Sequence, residues 1–357
     1  MGAVGYLVQR SAARPVLVAA LASLWLCAGA LGAPAGVPPL MTYIRGLVTP
    51  SPYVWVSGVD GSTPVRLGPA SSALLSPDGS NVAAVSIEKA QTAKASTLSL
   101  YATNGGASST VQRSVQVMQL LAWSADSKLI LVAVGASPAQ LRVINPATKQ
   151  FRIIASGVID GASFAPGGSD EVVYARATPN TDLVNVYVTS PTGTETRQLT
   201  RDNRSEYPLW GPNGIVYSRE TMRSKNPYPE LQLWFMKANG TAARQLTHIP
   251  IPASAPVEGL TPIAFSANGR HLLANLVGPD HTEAYTVDLT GSKTAWRDLT
   301  GQQNGNIGDA ISADGKTILL TKGMPDHLAP LSIETVPWSG GKPTTIVPQG
   351  AYASWNG

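Results

Sequence analysis

Apolar and polar positions alternate along this chain in short runs broken by Gly, Pro, Asn and Asp, the pattern of half-buried strands joined by tight turns rather than of helices. Six times an apolar or aromatic residue closes one run and leads through a turn into the next: Leu75-Ser-Pro-Asp-Gly, Trp123-Ser-Ala-Asp-Ser, Phe164-Ala-Pro-Gly-Gly, Trp210-Gly-Pro-Asn-Gly, Phe265-Ser-Ala-Asn-Gly and Ile311-Ser-Ala-Asp-Gly. Their first residues are 48, 41, 46, 55 and 46 positions apart. That is the period of a four-stranded β-propeller blade and not of a helical solenoid.

The fourth repeat shows the logic of one unit. Tyr207-Pro-Leu-Trp210 is a short strand a, Gly211-Pro-Asn-Gly214 a tight turn, and Ile215-Val-Tyr-Ser218 a strand b running back. Leu231 to Lys237 alternates as strand c, Ala238-Asn-Gly-Thr241 turns it, and Ala243-Arg-Gln-Leu-Thr247 closes the sheet as strand d. The hairpin between c and d recurs as Asp60-Gly61, Asn104-Gly105, Thr192-Gly193, Asn239-Gly240, Thr290-Gly291 and Gly340-Gly341, residues that supply the positive φ angles a two-residue hairpin demands. The end of strand d recurs as Arg197-Gln-Leu-Thr200, Arg244-Gln-Leu-Thr247 and Arg297-Asp-Leu-Thr300.

The two ends of the chain complement one another. Met41 to Arg45 reads as a strand b, Tyr53 to Ser57 as c and Thr63 to Leu67 as d, with no strand a before them. Ala351-Tyr-Ala-Ser-Trp355 reads as the missing strand a, 44 residues after Ile311. The expected fold is therefore an all-β propeller of seven four-stranded blades, the last made from both termini so that no radial edge is left open. A six-bladed ring with stray terminal strands is the rival count.

Residues 1 to 15 carry Arg10 and Arg14 and no acid, and Val16 to Ala30 is apolar and ends in Ala28-Gly29-Ala30. This is the pattern of a secretory signal cleaved near Ala30, or of an uncleaved N-terminal anchor. Residues 31–40 read as a Pro/Gly-rich linker and 41–357 as the propeller, outside the cytoplasm. Cys27, the only cysteine, lies within the signal-like segment, so the body has no internal disulfide, and the bulky Leu26 before it argues against lipidation. Setting aside Arg10 and Arg14 leaves 24 basic against 22 acidic residues, which lends nucleic-acid binding no support.

The aromatic-Ser-Pro-Asp-Gly turn, the apolar strand, the Asp-Gly or Asn-Gly hairpin and the Arg-Gln-Leu-Thr ending together resemble the TolB-like propeller repeat. That repeat is related to the WD repeat and occurs in bacterial envelope proteins and in prolyl-oligopeptidase-type peptidases. The resemblance spans nearly the whole chain after the signal-like segment and implies extracytoplasmic partner binding. TolB itself carries a small α/β domain before its propeller, for which few residues are available here.

Fold alone does not give function. The nearest approach to a nucleophile elbow, Gly161-Ala-Ser-Phe-Ala165, lacks the second glycine and falls on a strand a. Two loop segments are candidates. Asp280-His281 and Asp326-His327 are 46 residues apart, in the b-to-c loops of consecutive blades, where they could ligate a metal or act as acid and base. The fourth blade's b-to-c loop, 219–230, is basic and aromatic through Arg219, Arg223, Lys225 and Tyr228, and the preceding d-to-a loop adds Arg204 and Tyr207 on the same face. The expectation is a monomeric binding module without catalysis or cofactor, directed at a protein or cell-wall partner and touching a membrane only through an uncleaved anchor. A lactonase- or lyase-like enzyme at the channel mouth and a rigid envelope spacer are the alternatives.

Overall fold

A computed structural model describes residues 39–49, 51–89, 94–135, 138–179, 181, 183–221, 230–250, 259–278, 282–290, 294–299, 305–323 and 330–356. The signal-like segment 1–30 and most of the predicted linker lie outside these residues. Among the described residues all regular structure is β, and no helix is long and apolar enough to cross a membrane.

Blades are numbered here from the first complete repeat, with strands lettered a to d outward. The first is Ser72–Leu75, Asn81–Lys89, Lys94–Ala102 and Ser108–Ser114; the second Met118–Trp123, Ile130–Val134, Ala139–Asn145 and Gln150–Gly157. The third is Ile159–Phe164, Val172–Ala177, Val184–Thr189 and Arg197–Gln198; the fourth Ser205–Gly211, Gly214–Thr221, Glu230–Met236 and Arg244–Gln245. The fifth is Gly259–Phe265, His271–Val277, Thr282–Asp288 and Ala295–Asp298; the sixth Asn306–Ile311, Thr317–Lys322, Ser332–Pro337 and Thr344–Pro348. The last takes strand a, Gly350–Trp355, from one end of the chain and Leu40–Arg45, Tyr53–Gly58 and Val65–Pro69 from the other. Each forms a four-stranded antiparallel sheet, with blades four and five joined by one parallel pair, Leu231↔Gly259.

Strand a of each blade packs against strand a of the next, and Gly350–Trp355 touches the inner strands of both the sixth blade and the first. The contacts thus run round in a closed circle. Closure rests on register: Met41 pairs with Trp355 and Arg45 with Gly350. The strand d expected over 63–67 begins two residues later. Gly58 N–H bonds the Ser62 carbonyl, Thr63 has a φ of +46°, and Pro64 has no N–H to give the ladder.

The a-to-b turns repeat one device. The buried Ser76 hydroxyl donates to Asp78 (2.6 Å) and accepts the Asn81 amide (3.0 Å). The same pair of bonds joins Ser124 to Asp126 and Leu129, Ser266 to Asn268 and His271, and Ser312 to Asp314 and Thr317. A short polar side chain two residues ahead of an acceptor closes the turn without relying on water. In the third and fourth blades Ala165 and Gly211 occupy the serine position.

Beside these turns lie the c-to-d hairpins, whose glycines have two reasons to be glycine. Gly61, Gly105, Gly193, Gly240 and Gly340 all have φ between +77° and +86°. A Cβ on Gly61 would also strike the Ile346 carbonyl, one on Gly105 would approach Val65, one on Gly193 Ile154 and one on Gly240 Leu199. Each of these hairpins is therefore pressed against the outer strand, or the residue just beyond it, of the preceding blade.

Apolar packing binds neighbouring blades. One cluster, for example, joins Ala310, Leu319 and Ile333 of the sixth to Met41, Tyr43, Ala353 and Trp355 of the last. Polar ties cross the same seams. The Trp123 indole donates to the Leu74 carbonyl (3.1 Å) and the Trp355 indole to Ile311 (2.9 Å), while Ser163 and Ser354 accept the amides of Trp210 and Leu75. A second set comes from one register position of strand b. Ser218 donates to the Leu260 carbonyl, Asn275 grips Gly308 through both N–H and C=O, and Thr321 accepts the Tyr352 amide.

Candidate functional site

The b-to-c and d-to-a loops share the face opposite the serine turns, around the channel mouth. The clearest construction on it is a step of arginine on aromatic. In three blades strand b carries Tyr-x-Arg: Tyr43-Ile-Arg45, Tyr174-Ala-Arg176 and Tyr217-Ser-Arg219. The two-residue period puts both side chains on one side of the sheet. The residue directly opposite each tyrosine on strand c is aromatic: Trp55, Tyr187 and Trp234. The arginine then lies diagonally across that ring, with guanidinium to centroid distances of 4.9, 4.8 and 4.3 Å. In the sixth blade the same positions carry Lys322 and Glu334, 3.3 Å apart. This signal was present in the sequence as the repeated Tyr-x-Arg and was missed.

Arg219 is the most constrained of the three. Its Nε lies 2.8 Å from Asp202, which also accepts the Arg204 amide and the Ser205 hydroxyl. Tyr217 beneath it is pushed up to about 12, by burial first and then by Asp202, with Arg219 pulling the other way. Arg219 was expected on the b-to-c loop, outside the ladders. It instead sits within strand b, opposite Ser205 and Gln232, because the hairpin runs on to the pair Thr221↔Glu230. Tyr207, expected as a loop anchor, is buried in strand a at a bulge with φ of +53° and packs among Leu131, Phe164 and Tyr174. Arg204 is exposed on its d-to-a loop as expected. Arg223, Lys225 and Tyr228 lie outside the described residues.

The Arg-Gln-Leu-Thr endings belong to the architecture. Thr200 and Thr247 accept the strand c amides of Val186 and Leu233 and donate to the side chains of Asn185 and Gln232. Those amide side chains hold the outgoing loop: Asn185 bonds both the backbone and side chain of Asn203, and Gln232 bonds Ile249 through N–H and C=O.

The mouth also leaves aliphatic side chains open. Among the described residues eight large hydrophobic side chains are exposed, and five of them stand on this face: Val48 (64%), Ile87, Val115 (83%), Val117 and Leu183. They come from loops of the last and third blades, from the end of strand b of the first and from the connection into the second. Asp280, His281, Asp326 and His327 lie outside the described residues. Among the described residues no three His, Cys, Asp or Glu side chains gather as a metal site.

No protein-family model and no curated protein matches the chain. Solved structures do. The β-propeller domain of the Trilobed protease from Pyrococcus furiosus superposes with a TM-score of 0.62 at 11% identity, over 88% of this chain and 95% of that one. TolB from Acinetobacter baumannii does so with 0.54 at 15%, over 90% and 84%. The acylaminoacyl peptidase of Pyrococcus horikoshii gives 0.58 at 10%, over 88% of this chain and 52% of that one, so this chain spans about half of that peptidase. These likenesses establish the fold: the chain is a β-propeller. Its propeller is TolB-like. The Pyrococcus furiosus domain is described as having an open velcro topology, whereas here the two ends of the chain share one sheet.

Proposed function

We infer that the protein is an exported, non-catalytic propeller that binds a protein or cell-envelope partner through the mouth face. The observation that carries this reading is the gathering of exposed aliphatic side chains, Val48, Ile87, Val115, Val117 and Leu183, on that one face. Apolar side chains raised on loops of a rigid scaffold are suited to partner contact. The arginines nearby that are tied down, such as Arg219 on Asp202 and Trp234, support the loops rather than chemistry. The signal-like residues 1–30 and the resemblance of the repeats to those of envelope proteins support an extracytoplasmic location.

The test places a photo-crosslinking amino acid at Val48 or Val115, and as a control at Asn239 in an opposite-face hairpin, in cells producing the full chain. Discrete adducts from Val48 and Val115 and none from Asn239 are expected. Adducts from Asn239 alone would reverse the assignment of the face. Turnover of lactones or esters by the purified protein, abolished by changes at Asp280 or Asp326, would replace binding with catalysis.

A further inference from the structure

At three successive seams a polar side chain at one position of strand b, opposite Glu206, Thr261 and Ile307 of its own strand a, reaches into the next blade's strand a. At two of them the group that makes the tie is neutral: Ser218 on Leu260, and Asn275 on Gly308. At the third, between the sixth and last blades, Thr321 is joined by a carboxyl group. The Thr321 hydroxyl donates to Asp309 Oδ2 (2.6 Å) and accepts the Tyr352 amide (2.7 Å), and Asp309 also takes a hydrogen bond from the backbone of Ala353.

Tyr352 and Ala353 are the two residues that fall between the registered pairs of strand Gly350–Trp355. Its register against Leu40–Arg45 breaks between Ala351↔Ile44 and Ser354↔Thr42, and Tyr352 has a φ of +53°. A bulge costs ladder bonds, and buried amides must find other partners. Here both partners come from the sixth blade, and one of them is ionisable. The strand so held is the one that closes the ring.

We propose that Asp309 and Thr321 form an acid-tightened latch on the closing strand, holding residues 350–355 most firmly while the Asp309 carboxyl is protonated and releasing them more readily once it ionises. Asp309 is 3% exposed, and strands around it contribute Ala310, Leu319 and Ala353 to one apolar cluster. Burial, opposed by the hydrogen bonds from Thr321 and Ala353, raises its carboxyl to about 7. Elements packed against its strand or its partners carry Lys322, Glu334, Glu283, Tyr285, Asp288, His271, Tyr352, Tyr43 and Arg45, and none of these adds a charge effect at Asp309. With the folded value above the ordinary 3.8, the bound proton favours the closed state. The stabilisation is complete below about pH 4 and is lost as pH rises towards 7.

Hydrogen exchange on the full chain, corrected for the intrinsic pH dependence of exchange, tests this. Protection of 350–355 is expected to fall by about tenfold per pH unit between pH 5 and 7 and to level off above about pH 8. The equivalent strand 259–265, which carries no ionisable residue and whose tie from Ser218 is neutral, is expected to stay level. In Asp309→Asn the fall at 350–355 disappears. Parallel behaviour of the two strands in the unaltered protein overturns the latch without need of any variant, and so does an undiminished pH dependence in Asp309→Asn.

Discussion

The two faces of the ring are built on different principles. On the serine-turn face the a-to-b turns of four blades satisfy their own polar groups, as Ser76 does with Asp78 and Asn81, and the hairpin glycines Gly61, Gly105, Gly193 and Gly240 dock against the blade before them. On the mouth face strands end at different heights and the loops differ from blade to blade. The Arg219 side chain is fixed by Asp202 and Trp234 while Val48 and Val115 stand in solvent. The first face is the same solution repeated, because every blade must turn through the same angle against its neighbour. The second is free of that requirement, since loops outside the ladders add little to packing. Variation between blades is concentrated there.

The sharpest way to break this comparison is at the closing blade. Trp355 is buried, ends strand a at the serine-turn face and ties its indole to Ile311. Replacing it with alanine is expected to cost about 3–5 kcal/mol in urea unfolding. A loss under about 1 kcal/mol would mean that this end of the inner strands does not hold the ring. Ser312→Ala, which removes a hydroxyl bonded to Asp314 and to the Thr317 amide, is expected to cost about 1–2 kcal/mol by the same measurement.

On the mouth face the expectation splits between two arginines. Arg219→Ala loses an ion pair and an aromatic stack and is expected to cost about 1–2 kcal/mol. Arg204→Ala, whose side chain is exposed, should stay within about 0.5 kcal/mol. Equal melting temperatures for the two variants would contradict the distinction between fixed and free mouth residues.

The smallest expected effect is in acid. Burial is the largest influence on Asp78 and Asp126 and raises them, but the hydrogen bonds from Ser76, Ser80 and Ser127 to one, and from Lys128 and Ser124 to the other, outweigh it. Asp314 is lowered chiefly by Ser312. Carboxyls held below 3.8 in the fold contribute stability above that value and lose it as pH falls through their folded values. Melting temperature should therefore drop from about pH 4 downwards, less steeply in Asp78→Asn. An unchanged slope in that variant would remove the turn carboxylate from the account of this face.

Read alone, the sequence determined the repeat, the strand order within each blade and the pairing of Met41–Arg45 with Ala351–Trp355. These follow from period-two burial and from turn residues whose φ preferences are local, so no distant contact is needed to read them. The strand limits at Val65 and Thr221 were not legible, because a ladder ends where its partner ends. For the same reason Arg219 was read as a loop residue and Tyr207 as an anchor: residue type shows that a side chain can reach a partner, whereas burial depends on what the neighbouring blade brings against it. The placing of Asp309 beside Thr321 and the bulge at Tyr352 joins two blades, and only the tertiary structure could decide it, since the carboxyl's environment is set by residues from a seam that exists only when the ring is closed.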